Sequence, residues 1–332
     1  MVAHTDAYRT GTLRRVSRTK VLSIVGPGRS GTTILASVLA EAEGFRNVGE
    51  LRWMWRRGLI ERRSCGCGVP PADCPVWSGI VPAVLAGAGA TAAGVAAAQD
   101  ELSSRRHRLR AIRSSSGGED GWPALALVRD VTGRLIAGIA GATGARVVID
   151  SSKRAQDAAV LAALADVDHY VLHMVRDPGA VAFSWQRRDK EVRVAGRTRA
   201  MATRRLLPSL ARWTENSLSA ELLRRHLPAD RWMFLRYEDF AASPRKTIAR
   251  VLAFLGEDAE PPFADDTTVV LGVNHTVAGN PNRFRTGPVT IALDDEWRTR
   301  MPWPRRLAAH GLTWPLLVRY GYALPRRLRR AA

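Results

Sequence analysis

Lysine is nearly missing from this chain: Lys20, Lys153, Lys190 and Lys246 are all it has, so its basic character is almost wholly arginine. No apolar run reaches the roughly 20 residues that a bilayer crossing needs, and Val21 to Val25 is far too short for a secretory leader behind its polar, basic start. A cytoplasmic location is the expectation. Cysteine is confined to Cys65, Cys67 and Cys74, which excludes a disulfide-stapled scaffold. No histidine stands close by in the sequence to complete four ligands, and cysteines two apart do not easily bridge. Inert packed thiols are the expectation, with an incomplete zinc site or a disulfide through Cys74 as the alternatives. No internal repeat is visible.

What is present suits a sizeable α/β protein. The chain has 332 residues, 46% of them hydrophobic, and a net charge of +19. An Arg and Ala bias of this kind reflects base composition in part, so the charge points only weakly to polyanionic partners. Nucleic acid is disfavoured because no recognisable fold interleaves exposed aromatics with basic residues. Strand-like apolar runs alternate with helical patterns, the signature of βαβ construction and a parallel sheet. Strands are expected at Lys20 to Val25, Phe45 to Val48, Arg146 to Ile149, His169 to Val175 and Arg231 to Arg236. Helices are expected at Thr32 to Ala42, Lys153 to Ala165, after Pro178 and at Pro244 to Leu255. Residues 1–19 read as a flexible leading segment, 20–302 as the main domain and about 70–118 as a helical insertion. Residues 303–332 form a basic, aromatic tail, read either as a helix packed on the domain or as a peripheral membrane face.

The segment that carries chemistry is Gly26-Pro-Gly-Arg-Ser-Gly-Thr-Thr33, between the first strand and the first helix. Against the G-x-x-x-x-G-K-[ST] pattern, Gly26 and Gly31 occupy the glycine positions and Thr33 the hydroxyl, while Thr32 stands where lysine belongs. Glycines let backbone N–H groups point inward, and the helix start adds its positive dipole end, so an anion belongs there. The cation that would reach the outer phosphates of ATP is absent. Arg29 and Ser30 instead offer a planar cation and a hydroxyl from within the loop.

Ligands of open parallel sheets collect beyond the carboxyl ends of the strands, and the polar clusters of this chain fall at such ends. Arg176-Asp177-Pro178 closes one strand, with Ser184 and Arg188 four residues apart on the following helix, so Arg176, Ser184 and Arg188 are candidates for a second phosphate. Glu50 follows the second strand, Asp150-Ser-Ser-Lys153 the third, and Tyr237-Glu-Asp239 the last.

These two anion elements together resemble the sulfotransferases that use 3′-phosphoadenylyl sulfate (PAPS), over about residues 20 to 290. In that family Gly28-Arg-Ser-Gly-Thr-Thr33 would bind the 5′-phosphosulfate, through Gly28, Arg29, Ser30, Gly31, Thr32 and Thr33, and Arg176 to Ser184 the 3′-phosphate. The Arg-Ser-Gly-Thr-Thr form, Arg188 and Leu235-Arg-Tyr-Glu-Asp239 are similar to tyrosylprotein and carbohydrate sulfotransferases, and place Tyr237 by the adenine. Bacterial members are similar in Gly49-Glu50, Cys65-Gly-Cys67-Gly, Asp150-Ser-Ser-Lys153 and Gly279-Asn-Pro281. The resemblance implies a three-layer, P-loop-like α/β fold with a central parallel sheet. It also implies transfer of a sulfuryl group from PAPS to a hydroxyl or amine of a small-molecule, carbohydrate or lipid acceptor, with release of 3′,5′-ADP and no metal. Arg29 and Lys153 would stabilise the departing charge, and Glu50 would be the base, with His275 in reserve. Gly279, Asn280, Arg283 and Arg285 lie where the family closes a loop over the nucleotide. Two rivals stand beside this reading. A P-loop kinase would take Asp150 as its metal ligand but lacks its lysine; a non-enzymatic nucleotide or nucleic-acid binder would draw on net charge alone.

Overall fold

The computed structural model describes residues 18–117, 121–187, 191–194, 197–200 and 203–322. Its strands are β1 (Thr19–Val25), β2 (Phe45–Gly49), β3 (Val147–Lys153), β4 (Val167–Val175), β5 (Glu191–Val194), β6 (Arg197–Ala200), β7 (Trp232–Arg236), β8 (Thr268–Leu271) and β9 (Gly287–Thr290). Five of them form one sheet in the order β2-β3-β1-β4-β7, every pair parallel. The β5-β6 and β8-β9 pairs are small antiparallel additions.

Runs such as Val21-Leu-Ser-Ile-Val25 are buried on both faces because helices cover both sides of the sheet. Leu22 and Ile24 pack with Leu35, Leu39, Phe240 and Ile248 on one face. Val21 and Val148 pack with Trp77, Leu135 and Ile139 on the other. Each such side chain stabilises by roughly 1.5–3 kcal/mol relative to exposure. The result is the expected α/β architecture of a central parallel sheet between helical layers.

Register decides where the site lies. Val25 pairs with both Lys153 and His173, Gly49 with Asp150, and Val175 with Arg236. The carboxyl ends of all five strands therefore finish along one edge, and the residues that follow them are neighbours despite their distance in sequence.

The elements differ from expectation in three places. Helix α1 (Thr32–Leu39) stops before Ala42, turning through Ala40 to Gly44, where a positive φ of 81° sets the return into β2. Lys153 opens no helix: it is the last residue of β3, at φ 71°, its carbonyl accepting from the Gly26 N–H at 3.0 Å, and the helix begins at Ala155. The helix carrying Ser184 (Pro178–Gln186) ends with Arg187 already extended, and Arg188, expected to share a phosphate with Ser184, lies outside the described residues.

Within 70–118 lie the helices Trp77–Gly87, Ala92–Ser103 and Arg108–Arg113, followed by the long Pro123–Thr143. The tail forms a helix, Trp303–Arg319, which buries Ala309, Thr313, Leu316 and Leu317 and leaves Trp303, Leu307, Trp314 and Val318 in solvent. Among the described residues, no single helix is long and apolar enough to cross a membrane.

Candidate active site

The β1-to-α1 loop is shaped by positions that tolerate only glycine. At Gly26, φ is 131° and a Cβ would fall 2.2 Å from the Met174 carbonyl oxygen. At Gly31, φ is 83° and a Cβ would meet the Tyr237 ring at 2.5 Å. Between them Arg29 adopts φ 72°, a left-handed conformation that costs a non-glycine residue on the order of 1–3 kcal/mol and is tolerated mainly where function needs it. Gly31 is the N-cap of α1 and brings no side chain to cap it, so the first-turn N–H groups have no side-chain cap. The Ser30 hydroxyl is buried without a hydrogen-bond partner among the described residues. An anion accepting from these groups satisfies both deficits.

The strand-end arginine is built into the same place. Asp177 does not pair with it. Its Oδ1 instead caps the Pro178–Gln186 helix, accepting from the Gly179 and Ala180 N–H groups at 2.8 and 3.4 Å. Arg176 is freed to reach Asp294, donating through Nη2 to its carbonyl at 2.6 Å and pairing with Oδ2 at 3.2 Å, while its guanidinium stacks on the Tyr237 ring at 4.4 Å. Its Nη1 donates to the Arg29 carbonyl at 3.5 Å. Arg29 in turn lies 5.2 Å over the Trp185 ring and donates to the Ser184 carbonyl at 3.4 Å. Gly28 completes the contact: a Cβ there would lie 3.4 Å from Trp185. The two candidate anion elements are thus in direct contact.

Tyr237 serves this arrangement as a support. It is buried, its ring lies between Gly31 and Arg176, and its hydroxyl donates to the Ala292 carbonyl and accepts from the Asp294 N–H, both at 3.3 Å. Burial raises the pKa of its hydroxyl, so it stays a neutral donor.

At the other end of the edge, the Lys153 ammonium is ion-paired with the Glu50 carboxylate rather than with Asp150 or Asp157, and both side chains are mostly buried, 15% and 14% exposed. Backbone bonds hold Glu50: its N–H donates to the Val277 carbonyl at 2.8 Å, and the next N–H, of Leu51, to Asp150 Oδ1 at 3.1 Å. Asp150 faces inward, also accepting from the Ser152 hydroxyl at 2.6 Å; burial pushes its pKa up to about 6 against the pull of that hydroxyl. Occupied in this way, it is not the open carboxylate that a metal–nucleotide kinase requires.

The 279–285 segment closes over this end. A Cβ at Gly279 would lie 3.7 Å from Glu50 Oε1 and 4.0 Å from Thr33 Oγ1. Asn280 caps the following turn, its Oδ1 accepting from the Asn282 N–H at 3.1 Å. Arg283 is buried and donates at 2.7 Å to each of the Thr276 and Ser64 carbonyls, with burial lowering its pKa to about 10. In this geometry it pins backbone, while Arg285 is exposed. His275, expected as the reserve base, faces the Cys74 sulfur at 3.2 Å through Nδ1. The expectation of three cysteines without a histidine is therefore corrected: tertiary structure brings one in from 201 residues away, where no local spacing could announce it.

Asp294, Trp185 and Trp213, whose indole N–H donates to the Arg176 carbonyl at 2.9 Å, went unmarked in the sequence. Only Trp185, adjacent to Ser184, carried a positional hint.

The sequence matches the Sulfotransferase family over residues 22–261. No curated protein sequence gives a significant match. Among solved structures, the chain is distantly similar to the sulfotransferase domain of the Synechococcus olefin synthase, at 18% identity and TM-score 0.46 over 93% of this chain and 97% of that one. A sulfotransferase domain from the curacin biosynthetic pathway gives 17% identity and TM-score 0.48 over 89% and 97%. A retinol dehydratase in complex with retinol and PAP gives 14% and 0.37 over 91% and 82%. With the family match spanning most of the chain, and the lysine-free loop in contact with the strand-end arginine, this protein belongs to the sulfotransferase family.

Proposed function

We propose that the chain transfers a sulfuryl group from PAPS to a hydroxyl or amine of a small-molecule, carbohydrate or lipid acceptor, releasing 3′,5′-ADP. The observation that supports this reading is the 3.5 Å bond from Arg176 to the Arg29 carbonyl, which brings the two segments expected to hold anions into contact. A donor bearing phosphate at both the 3′ and 5′ positions needs such a pair; ATP does not.

The first-turn N–H groups of α1, the Ser30 hydroxyl and Arg29 would take the 5′-phosphosulfate. Arg176 and the neighbourhood of Ser184 would take the 3′-phosphate, with Tyr237 and Asp294 as positioning residues. In the transfer, a bond forms from the acceptor oxygen to sulfur as the bond from sulfur to the bridging oxygen breaks. The acceptor proton passes to Glu50, and the leaving oxygen carries the electron pair. Neutralising Glu50 leaves the Lys153 charge unmatched at the moment negative charge builds on that oxygen, so one ion pair serves both partners of the displacement.

Incubating the protein with radiolabelled PAPS and a cell extract tests the reading: label should move to an acceptor and 3′,5′-ADP should appear. Failure to transfer sulfate, together with transfer of the γ-phosphate of ATP, would replace it with the kinase.

A further inference from the structure

The cysteines and His275 form a cluster that sulfuryl transfer does not use. Cys65 and Cys67 sit on a tight turn, where the Cys65 N–H donates to the Val69 carbonyl at 2.6 Å and the Gly68 N–H to the Cys65 carbonyl at 2.9 Å. Cys74 brings its sulfur to 3.6 Å from that of Cys67, and His275 faces Cys74 through Nδ1 at 3.2 Å. The four donor atoms all lie within 4.8 Å of one another, and Cys65 and Cys74 are fully buried.

We propose that Cys65, Cys67, Cys74 and His275 bind one zinc ion at a closed structural site. A tetrahedral ion with Zn–S near 2.3 Å and Zn–N near 2.05 Å sets its donors roughly 3.4–3.8 Å apart, close to the spacings already present. Three thiolates and an imidazole are a soft set that selects zinc over magnesium or calcium. A disulfide would need sulfurs at about 2.05 Å, whereas those of Cys67 and Cys74 stand 3.6 Å apart and all three cysteines are free. Four protein ligands leave no open position, so the ion builds structure and does not activate water.

The surroundings fit that role. The Gly66 N–H donates to the Thr276 carbonyl at 2.9 Å, the Trp77 indole to the His275 carbonyl at 2.8 Å, and Arg283 spans Ser64 and Thr276 beside the thiolates, offsetting their charge. Two residues beyond His275, Val277 bonds to Val48 and Glu50. The ion would therefore staple the 65–74 turn to the segment that fixes the Glu50 backbone and leads into the Gly279 turn. This inference rests on side-chain geometry alone and stands whether or not PAPS is the donor.

Metal analysis of the full chain, reduced, reconstituted with zinc and desalted, should give stoichiometric zinc. Cobalt in its place should show thiolate charge-transfer absorption and the intense visible bands of a tetrahedral ion. Cys74→Ser and His275→Ala should lose the metal; should either fail to fold, chelation of the wild-type chain should lower its melting temperature, with recovery on adding zinc back. Substoichiometric zinc, full zinc retention in folded Cys74→Ser, iron with acid-labile sulfide, or a Cys67–Cys74 disulfide in the folded protein would each overturn the proposal.

Discussion

Glu50 and Lys153 close the ends of two adjacent strands, and their carboxylate and ammonium meet although 103 residues separate them. Each is mostly buried, so neither charge is well solvated without the other. This pair is the place where proton transfer and leaving-group stabilisation would be coupled.

Glu50→Gln should lower kcat about 10²–10⁴-fold, the range for a positioned general base, with little change in donor binding. Lys153→Met should lower kcat as well, and the double variant should fall well short of the product of the two losses, because either single change already breaks the pair. Steady-state kinetics with parallel calorimetry of 3′,5′-ADP would decide this; full activity in Glu50→Gln would move the base elsewhere.

Arg176→Ala should weaken 3′,5′-ADP by roughly 10- to 100-fold, matching the 1.5–3 kcal/mol of a charge-assisted hydrogen bond, while AMP is affected far less. Wild-type protein that bound AMP as tightly as 3′,5′-ADP would argue against a second phosphate site.

Gly26→Ala places a methyl 2.2 Å from the Met174 carbonyl oxygen at φ 131°, and should destabilise by more than the 1–3 kcal/mol of backbone strain alone. Gly79→Ala, on an exposed helical turn with nothing within 4 Å, should instead stabilise by about 0.5–1 kcal/mol. Urea titration of the two variants against wild type compares them directly.

His173 is fully buried among the rings of Trp232, Phe234 and Tyr320, both its ring nitrogens unpartnered, and burial lowers its pKa from 6.5 to about 4. Because the folded-state value is depressed, the stability it confers is complete above pH 6.5. As pH falls toward 4 the unfolded chain takes up a proton that the folded chain refuses, and at most about 3 kcal/mol is lost. His173→Phe should flatten the pH dependence of the urea midpoint across that window. An unchanged slope would assign the acid lability to other groups, such as His169, whose pKa burial lowers to about 3.

Omitting magnesium should leave turnover unchanged, since the loop has Thr32 where a kinase has its lysine and Asp150 is taken up by the Leu51 N–H and the Ser152 hydroxyl. Magnesium dependence would favour the kinase. Omission is the cleaner test than chelation, which would also reach the Cys–His cluster.

The strand ends were readable because they are local. Val21 to Val25 and His169 to Val175 are apolar runs that only a doubly covered sheet can bury, and each hands over to polar residues at its end. The lysine-free loop was readable because its glycines are needed for backbone shape, which one segment settles by itself. Arg283 is expected where a loop closes over the nucleotide, and nothing in its neighbours tells of the two carbonyls, Ser64 and Thr276, to which it donates.

By itself, then, the order of residues determined the parallel α/β frame, the glycine-shaped loop between the first strand and helix and the placing of each polar cluster beyond a strand. Only the folded chain decided which clusters meet: Arg29 with Arg176, Glu50 with Lys153, and His275 with three distant cysteines. The reason is physical. Backbone preference and hydrophobic period act over a few residues, whereas these meetings depend on strand order and register, which the whole core sets at once.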